Sequence, residues 1–161
     1  MTERPDTGDA MPDVAMETPD GGSVKPSDFH GQKLVMFFYP KDDTPGCTTE
    51  NKDFTALKGE FEAADTALLG VSKDPPAKHA KFMAKHDLAA PLASDTPADS
   101  GKDGIAEALG IWVEKNMYGR KYMGMERTTY LVDAEGRIAR VWRKVKVKGH
   151  ADEVLAAAKA L

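Results

Sequence analysis

The chain has 161 residues, 41% of them hydrophobic and 30% charged, a composition that suits one globular domain with a single core. Twenty-two Lys and Arg stand against 26 Asp and Glu, so the net charge is −4 and no global basic character points to nucleic acid or a membrane surface. No apolar run approaches the ~20 residues of a membrane span, and the polar opening Met1–Asp9 has no signal core, so a cytoplasmic location is expected.

Residues 1–10, rich in Pro, Asp, Thr and Gly, read as a disordered leader, with the domain running over 11–161. Short apolar pieces flank Asp20-Gly21-Gly22, a hairpin signal. Leu34-Val-Met-Phe-Phe-Tyr39 reads as a buried strand that stops at Pro40. Thr44 then suits an N-cap, and Pro45 suits the first helical position, where a missing N–H costs nothing. Gly46 permits close approach of the backbone, and Cys47 falls in the first turn. Phe54, Leu57 and Phe61 continue its apolar face.

Ala67–Ser72 reads as a second buried strand, and Pro75-Pro76 opens the next helix. There His79, Phe82, Met83 and His86 share one face; with no third ligand at useful spacing, this is a core stripe and no metal is expected. Pro91–Ser94 ends as a short strand, 95–103 reads as an exposed loop, and Ile105–Leu109 forms a short helix closed by Gly110. Glu126–Val132 and Arg137–Trp142 are β-rich runs joined by the turn Asp133–Gly136. The last helix opens near Gly149-His150 and aligns Ala151, Val154, Leu155, Ala158 and Leu161. Between Arg137 and Lys148 stand six basic residues and no acidic ones. Lysines alternating with valines there fit the defended face of an edge strand better than a nucleic-acid strip, and such a face also steers an acidic partner. The order β-α-β-α-β-α-β-β-α implies a mixed sheet with helices on both faces.

Cys47 is the only cysteine. Its neighbours Thr, Pro, Gly, Thr, Thr and Glu are not a core-like set, and a strand-to-helix turn is where function is commonly carried. The free N–H groups and positive dipole end of a helix N-terminus favour thiolate over thiol, so Cys47 reads as a nucleophile. A single cysteine forms no internal disulfide, which fits a reducing compartment, and the absence of Cys-x-x-Cys argues against a disulfide reductase.

At Pro40-x-x-x-Thr44-x-x-Cys47 the chain resembles the peroxiredoxins, specifically the peroxiredoxin Q or bacterioferritin comigratory protein group. The strongest stretches are Phe38–Glu50 and Met125–Asp133, with Gly110–Lys115 and Tyr118–Met123 also similar. The resemblance implies a thioredoxin-like α/β fold, a central mixed sheet flanked by helices with an N-terminal β-hairpin extension. It also implies a thiol-dependent peroxidase acting on hydrogen peroxide and organic hydroperoxides without a cofactor, as a monomer or weak homodimer. Cys47 would be the peroxidatic cysteine, with Arg127 and Thr44 bonding thiolate and peroxide and Pro40 packed over the sulfur. Many members of the group carry a resolving cysteine five residues later; here that position is Lys52. The expectation is therefore a one-cysteine cycle in which a Cys47 sulfenic acid is recycled by an external thiol: thioredoxin, glutaredoxin or glutathione. The competing readings are a slow peroxide sensor that signals through oxidised Cys47, and a thioredoxin-like binding module with a vestigial cysteine.

Overall fold

The computed structural model describes residues 4–95 and 104–161. Strands β1 (Met16–Glu17) and β2 (Ser23–Val24) form the expected small hairpin, and a 3₁₀ turn at Pro26–Phe29 leads into β3 (Lys33–Phe38). Then come α1 (Pro45–Ala63), β4 (Thr66–Ser72), α2 (Pro76–His86), β5 (Leu92–Ser94) and α3 (Ile105–Leu109). The chain closes with β6 (Trp112–Met117), β7 (Arg120–Met125), β8 (Thr128–Val132), β9 (Ile138–Trp142) and α4 (His150–Ala160).

Seven strands form one sheet in the order β2-β1-β5-β4-β3-β8-β9. Strands β3, β4 and β5 run parallel, while β8 and β9 add antiparallel on one side and β1 on the other. The expected mixed sheet is therefore present. Strand β3 is central and buried on both faces by its period of two. Leu34, Met36 and Phe38 join one core with Leu69, Val71, Ile105, Leu109 and Tyr130. Val35, Phe37 and Tyr39 join the other with Phe54, Phe61, Phe82 and Val154. Helices α1, α2 and α4 thus cover one face and α3 the other. The Phe37 and Phe54 rings stack at 4.3 Å, which seats α1 on β3. Gly70 is required beneath them: a Cβ there would lie 2.6 Å from Leu92 and 2.7 Å from the Phe37 ring.

Three expectations need correction. Residues 4–10 are no free leader, for they run along the edge of β9. Gly8 N–H donates to Ile138 O (2.8 Å), Ile138 N–H to Asp9 O (2.8 Å), and Arg4 pairs with Glu126. Unpaired edge groups of β9 supply the reason. Second, β9 ends at Trp142, so Lys144–Lys148 is a loop and not an edge strand, with Val145 and Val147 turned partly inward. Third, Leu161 is exposed beyond the end of α4. The loop expected at 95–103 lies, apart from Asp95, outside the described residues. Asp95 itself is buried and caps α3, accepting from Ile105 N–H (2.9 Å) and Ala106 N–H (3.0 Å). The hairpin β6–β7 was not anticipated as an element; among the described residues its strands pair only with each other. Among the described residues no helix is long and apolar enough to cross a membrane.

Candidate active site

Strand β3 delivers the chain to the top of the sheet, and α1 starts seven residues later with Pro45 in its first position. Cys47 is thus the third helical residue, where no i−4 carbonyl is available to its N–H. Its side chain is 1% exposed. Thr44 occupies the N-cap position with extended backbone (φ −96°, ψ 154°). Its hydroxyl does not cap, however. It donates to Lys41 O at 2.9 Å, leaving the first-turn N–H groups free. Pro40 is exposed at the end of β3.

Arg127 immediately precedes β8, the strand beside β3. Antiparallel pairing sets Phe38 opposite Thr128, so the residue before Thr128 stands at the same end of the sheet as the start of α1. From there Arg127 Nη2 donates to Cys47 Sγ at 3.4 Å, and Nη1 to Glu50 Oε1 at 2.6 Å. Gly46 makes room for it, since a Cβ there would sit 3.3 Å from Nη2. Burial works against the guanidinium charge, but Glu50 and Cys47 outweigh it and hold Arg127 above its usual range.

Glu50 was not among the expected site residues. It lies one turn after Cys47, 1% exposed, with Oε2 unpartnered. Burial raises its carboxyl to about 7 despite the adjacent Arg127. Its spacing of three from Cys47 was a usable signal, because such residues share a helix face. Asn51 secures the same turn, its amide donating to Cys47 O at 2.9 Å.

The loop Pro40–Thr44 is clamped from α2. The Tyr39 hydroxyl donates to Asp42 Oδ1 (2.6 Å), and Asp42 Oδ2 meets His79 Nδ1 at 2.6 Å. His79 Nε2 faces the Ala93 carbonyl at 3.0 Å. Asp74 accepts from the Asp42 N–H (2.8 Å). Ligand atoms of Asp42, Asp74 and His79 lie within 4.8 Å of one another. The histidine face read as core stripe has thus gained two carboxylates, but both ring nitrogens are already engaged. Next door, exposed Asp43 (φ 62°) pairs with Lys85 (2.6 Å) and His86 (2.7 Å).

Beside Arg127 opens a cavity of about 410 Å³ lined by Val113, Lys115, Glu126, Arg127, Lys144 and Val145. Lys115 donates to Met125 O at 2.6 Å, and burial together with Arg127 lowers its ammonium from the usual range.

Fold and site together define a thioredoxin-like protein with one buried cysteine held at a helix N-terminus against an arginine. The model of the AhpC/TSA family matches residues 7–141. The chain is 52% identical over 130 residues to peroxiredoxin Bcp of Xanthomonas campestris, covering 81% of this chain and 78% of that one. It is 46% identical over 148 residues to peroxiredoxin Bcp of Bacillus subtilis, covering 92% and 91%. A structure of Xanthomonas campestris bacterioferritin comigratory protein, in a study of alkyl peroxide reduction, superposes with TM-score 0.85 at 44% identity over 96% of this chain and 98% of that one. The C47S mutant of Xylella fastidiosa PrxQ gives TM-score 0.83 at 38% identity over 99% and 97%. The chain belongs to the AhpC/TSA family, in its peroxiredoxin Q and Bcp group, whose members are thiol-dependent peroxidases.

Proposed function

We propose that this protein reduces hydrogen peroxide and organic hydroperoxides through Cys47 alone and is recycled by an external thiol. The observation that carries this reading is the Arg127 guanidinium 3.4 Å from a cysteine sulfur in the first turn of α1. A thiolate there is stabilised by a cation and by helix N–H groups. It attacks one peroxide oxygen, the O–O bond breaks, and Cys47 becomes a sulfenic acid while the other oxygen departs as hydroxide or alkoxide and takes up the proton that the thiol had released to solvent. Arg127 spans Cys47 and Glu50 and so lies beside the charge as it moves from sulfur to oxygen. Thr44 exchanges its bond to Lys41 O for one to a peroxide oxygen, and Pro40 limits water at the mouth. A first thiol then attacks the sulfenic sulfur and releases water, giving a mixed disulfide. A second thiol displaces the Cys47 thiolate and leaves as a disulfide. Lys52, where a resolving cysteine commonly stands, is exposed on α1 and cannot serve. A reducing compartment such as the cytoplasm suits this cycle.

The test mixes reduced protein with one equivalent of hydrogen peroxide and follows the product by stopped flow and mass spectrometry. The expected result is fast addition of one oxygen at Cys47, reversed by thiol and abolished in Cys47→Ser. Oxidation no faster than that of a free thiol would refute the peroxidase reading. Fast oxidation with little thiol-driven turnover would favour the sensor instead.

A further inference from the structure

Among the described residues, the large apolar side chains left exposed are Leu161 and four on the hairpin β6–β7: Met117, Tyr118, Tyr122 and Met123, at 55, 98, 44 and 49%. The hairpin register gives two of them a direction. Val113 pairs with Gly124, Lys115 with Tyr122 and Met117 with Arg120, so these six residues share one face. Val113 and Lys115 line the cavity beside Arg127. Met117 and Tyr122 therefore extend that cavity outward as an apolar surface edged by Lys115 and Arg120.

The opposite wall is the basic run beyond β9. Val145 lines the cavity and its N–H donates to Arg127 O at 3.0 Å, while Lys144, Lys146 and Lys148 stay exposed. Of the acids nearby, Glu126 pairs with Arg4 and Glu114 with Lys121 at 3.7 Å, while Asp53 and Asp152 share a second cavity with Lys148. A chain of net charge −4 thus still gathers three exposed lysines on the run beside its reactive sulfur. Both walls also touch the arginine itself, since β7 leads into Arg127 and Val145 buttresses its backbone. With Cys47 only 1% exposed, a protein thiol reaches the sulfur only if this end of the molecule yields.

We propose that the β6–β7 face and the Lys144–Lys148 loop form the docking surface for the protein that reduces oxidised Cys47, a dithiol protein whose active thiol sits in an apolar patch with an acidic rim. The proposal rests on the peroxidase reading above. In the docked complex one partner thiol attacks the sulfenic sulfur and water leaves. The partner's second thiol then displaces the Cys47 thiolate, so the partner departs as an intramolecular disulfide and Cys47 is reduced.

The test compares peroxide turnover driven by an acidic thioredoxin with turnover driven by dithiothreitol. Two double variants are used, Lys146→Glu with Lys148→Glu, and Met117→Ser with Tyr122→Ser. Each should lower kcat/KM for thioredoxin by about tenfold or more, and the wild-type value should fall as salt is raised. Turnover with dithiothreitol and the rate of oxidation by peroxide should stay within about twofold of wild type. Equal losses with both reductants, unchanged thioredoxin kinetics, or a wild type recycled by dithiothreitol but not by thioredoxin would each overturn the proposal. So would a self-associated wild type that the Met117 and Tyr122 changes make monomeric, which would assign the face to a second copy of the chain. Failure of wild-type Cys47 to oxidise at all is a different result, because it removes the peroxidase reading and the docking face with it.

Discussion

At the scale of single residues, the site depends on one guanidinium serving two acidic neighbours at once. Arg127 forks between Cys47 Sγ and Glu50 Oε1, a geometry that a lysine ammonium cannot reproduce from one point. Arg127→Lys should therefore slow oxidation of Cys47 by hydrogen peroxide by about 100-fold, the usual loss when one preorganised donor is removed. Stopped-flow fluorescence measures this directly, and a loss of only a few-fold would mean that Arg127 is not the charge-stabilising group. The lone cysteine carries a second expectation. Without a thiol nearby to trap it, the sulfenic acid remains open to another peroxide. Excess peroxide with scarce thiol should convert Cys47 to sulfinic acid and stop turnover. Mass spectra showing Cys47 at the sulfenic stage under those conditions would contradict it.

At the scale of elements, α2 touches the reaction only through the loop it holds. The Asp42–His79 contact is buried at both ends, and the pairing of Asp43 with Lys85 and His86 is its exposed counterpart. Removing one partner of a buried pair strands the other, whereas exposed pairs contribute little. His79→Ala should cost about 3 kcal/mol or more in urea unfolding and slow Cys47 oxidation as the loop loosens, while Asp43→Ala should shift the urea midpoint far less. Equal costs for the two changes would show that the clamp does not bear on the loop. These elements also show where sequence patterning stops. Strand β3, the proline starts of α1 and α2, and the Gly110 end of α3 were legible because each is written in neighbouring residues. The Asp42–His79 and Glu50–Arg127 contacts join residues 37 and 77 apart, and nothing local announces them. Arg127 itself was reached only through family resemblance. Hairpin β6–β7 stayed hidden because charged residues interrupt its alternation and exposed apolar ones stand where polar residues are expected. The lysine–valine run misled for a related reason: its alternation is real, but the valines face two cavities at the mouth of the site and not a sheet.

At the scale of the whole molecule, two buried groups near the site tie stability to pH in opposite senses. Burial raises Glu50 to about 7, so the folded protein keeps a proton that the unfolded chain gives up near 4.5. Its stabilising contribution is complete below 4.5 and disappears as pH rises through about 7. His150, first residue of α4, meets the Thr129 hydroxyl at 2.8 Å, and burial lowers it to about 4. Its contribution is complete above 6.5 and disappears as pH falls through about 4. Between 4.5 and 6.5 the two slopes oppose each other, each limited to about 1.4 kcal/mol per pH unit for one proton. The two contributions should therefore nearly cancel in wild type, and each single variant should uncover the other group. Relative to wild type, Glu50→Gln should gain stability steadily from pH 4.5 to 6.5, because the contribution that fades over that window is gone. His150→Gln should lose stability relative to wild type over the same range. Other carboxylates, such as Asp53, raised by burial and by Asp152, are common to all three proteins and drop out of the differences. Urea midpoints at half-unit steps of pH decide the matter. Curves for wild type and Glu50→Gln that run parallel would mean Glu50 is ionised throughout, and Arg127 would then be shared between two anions at every pH where the enzyme works.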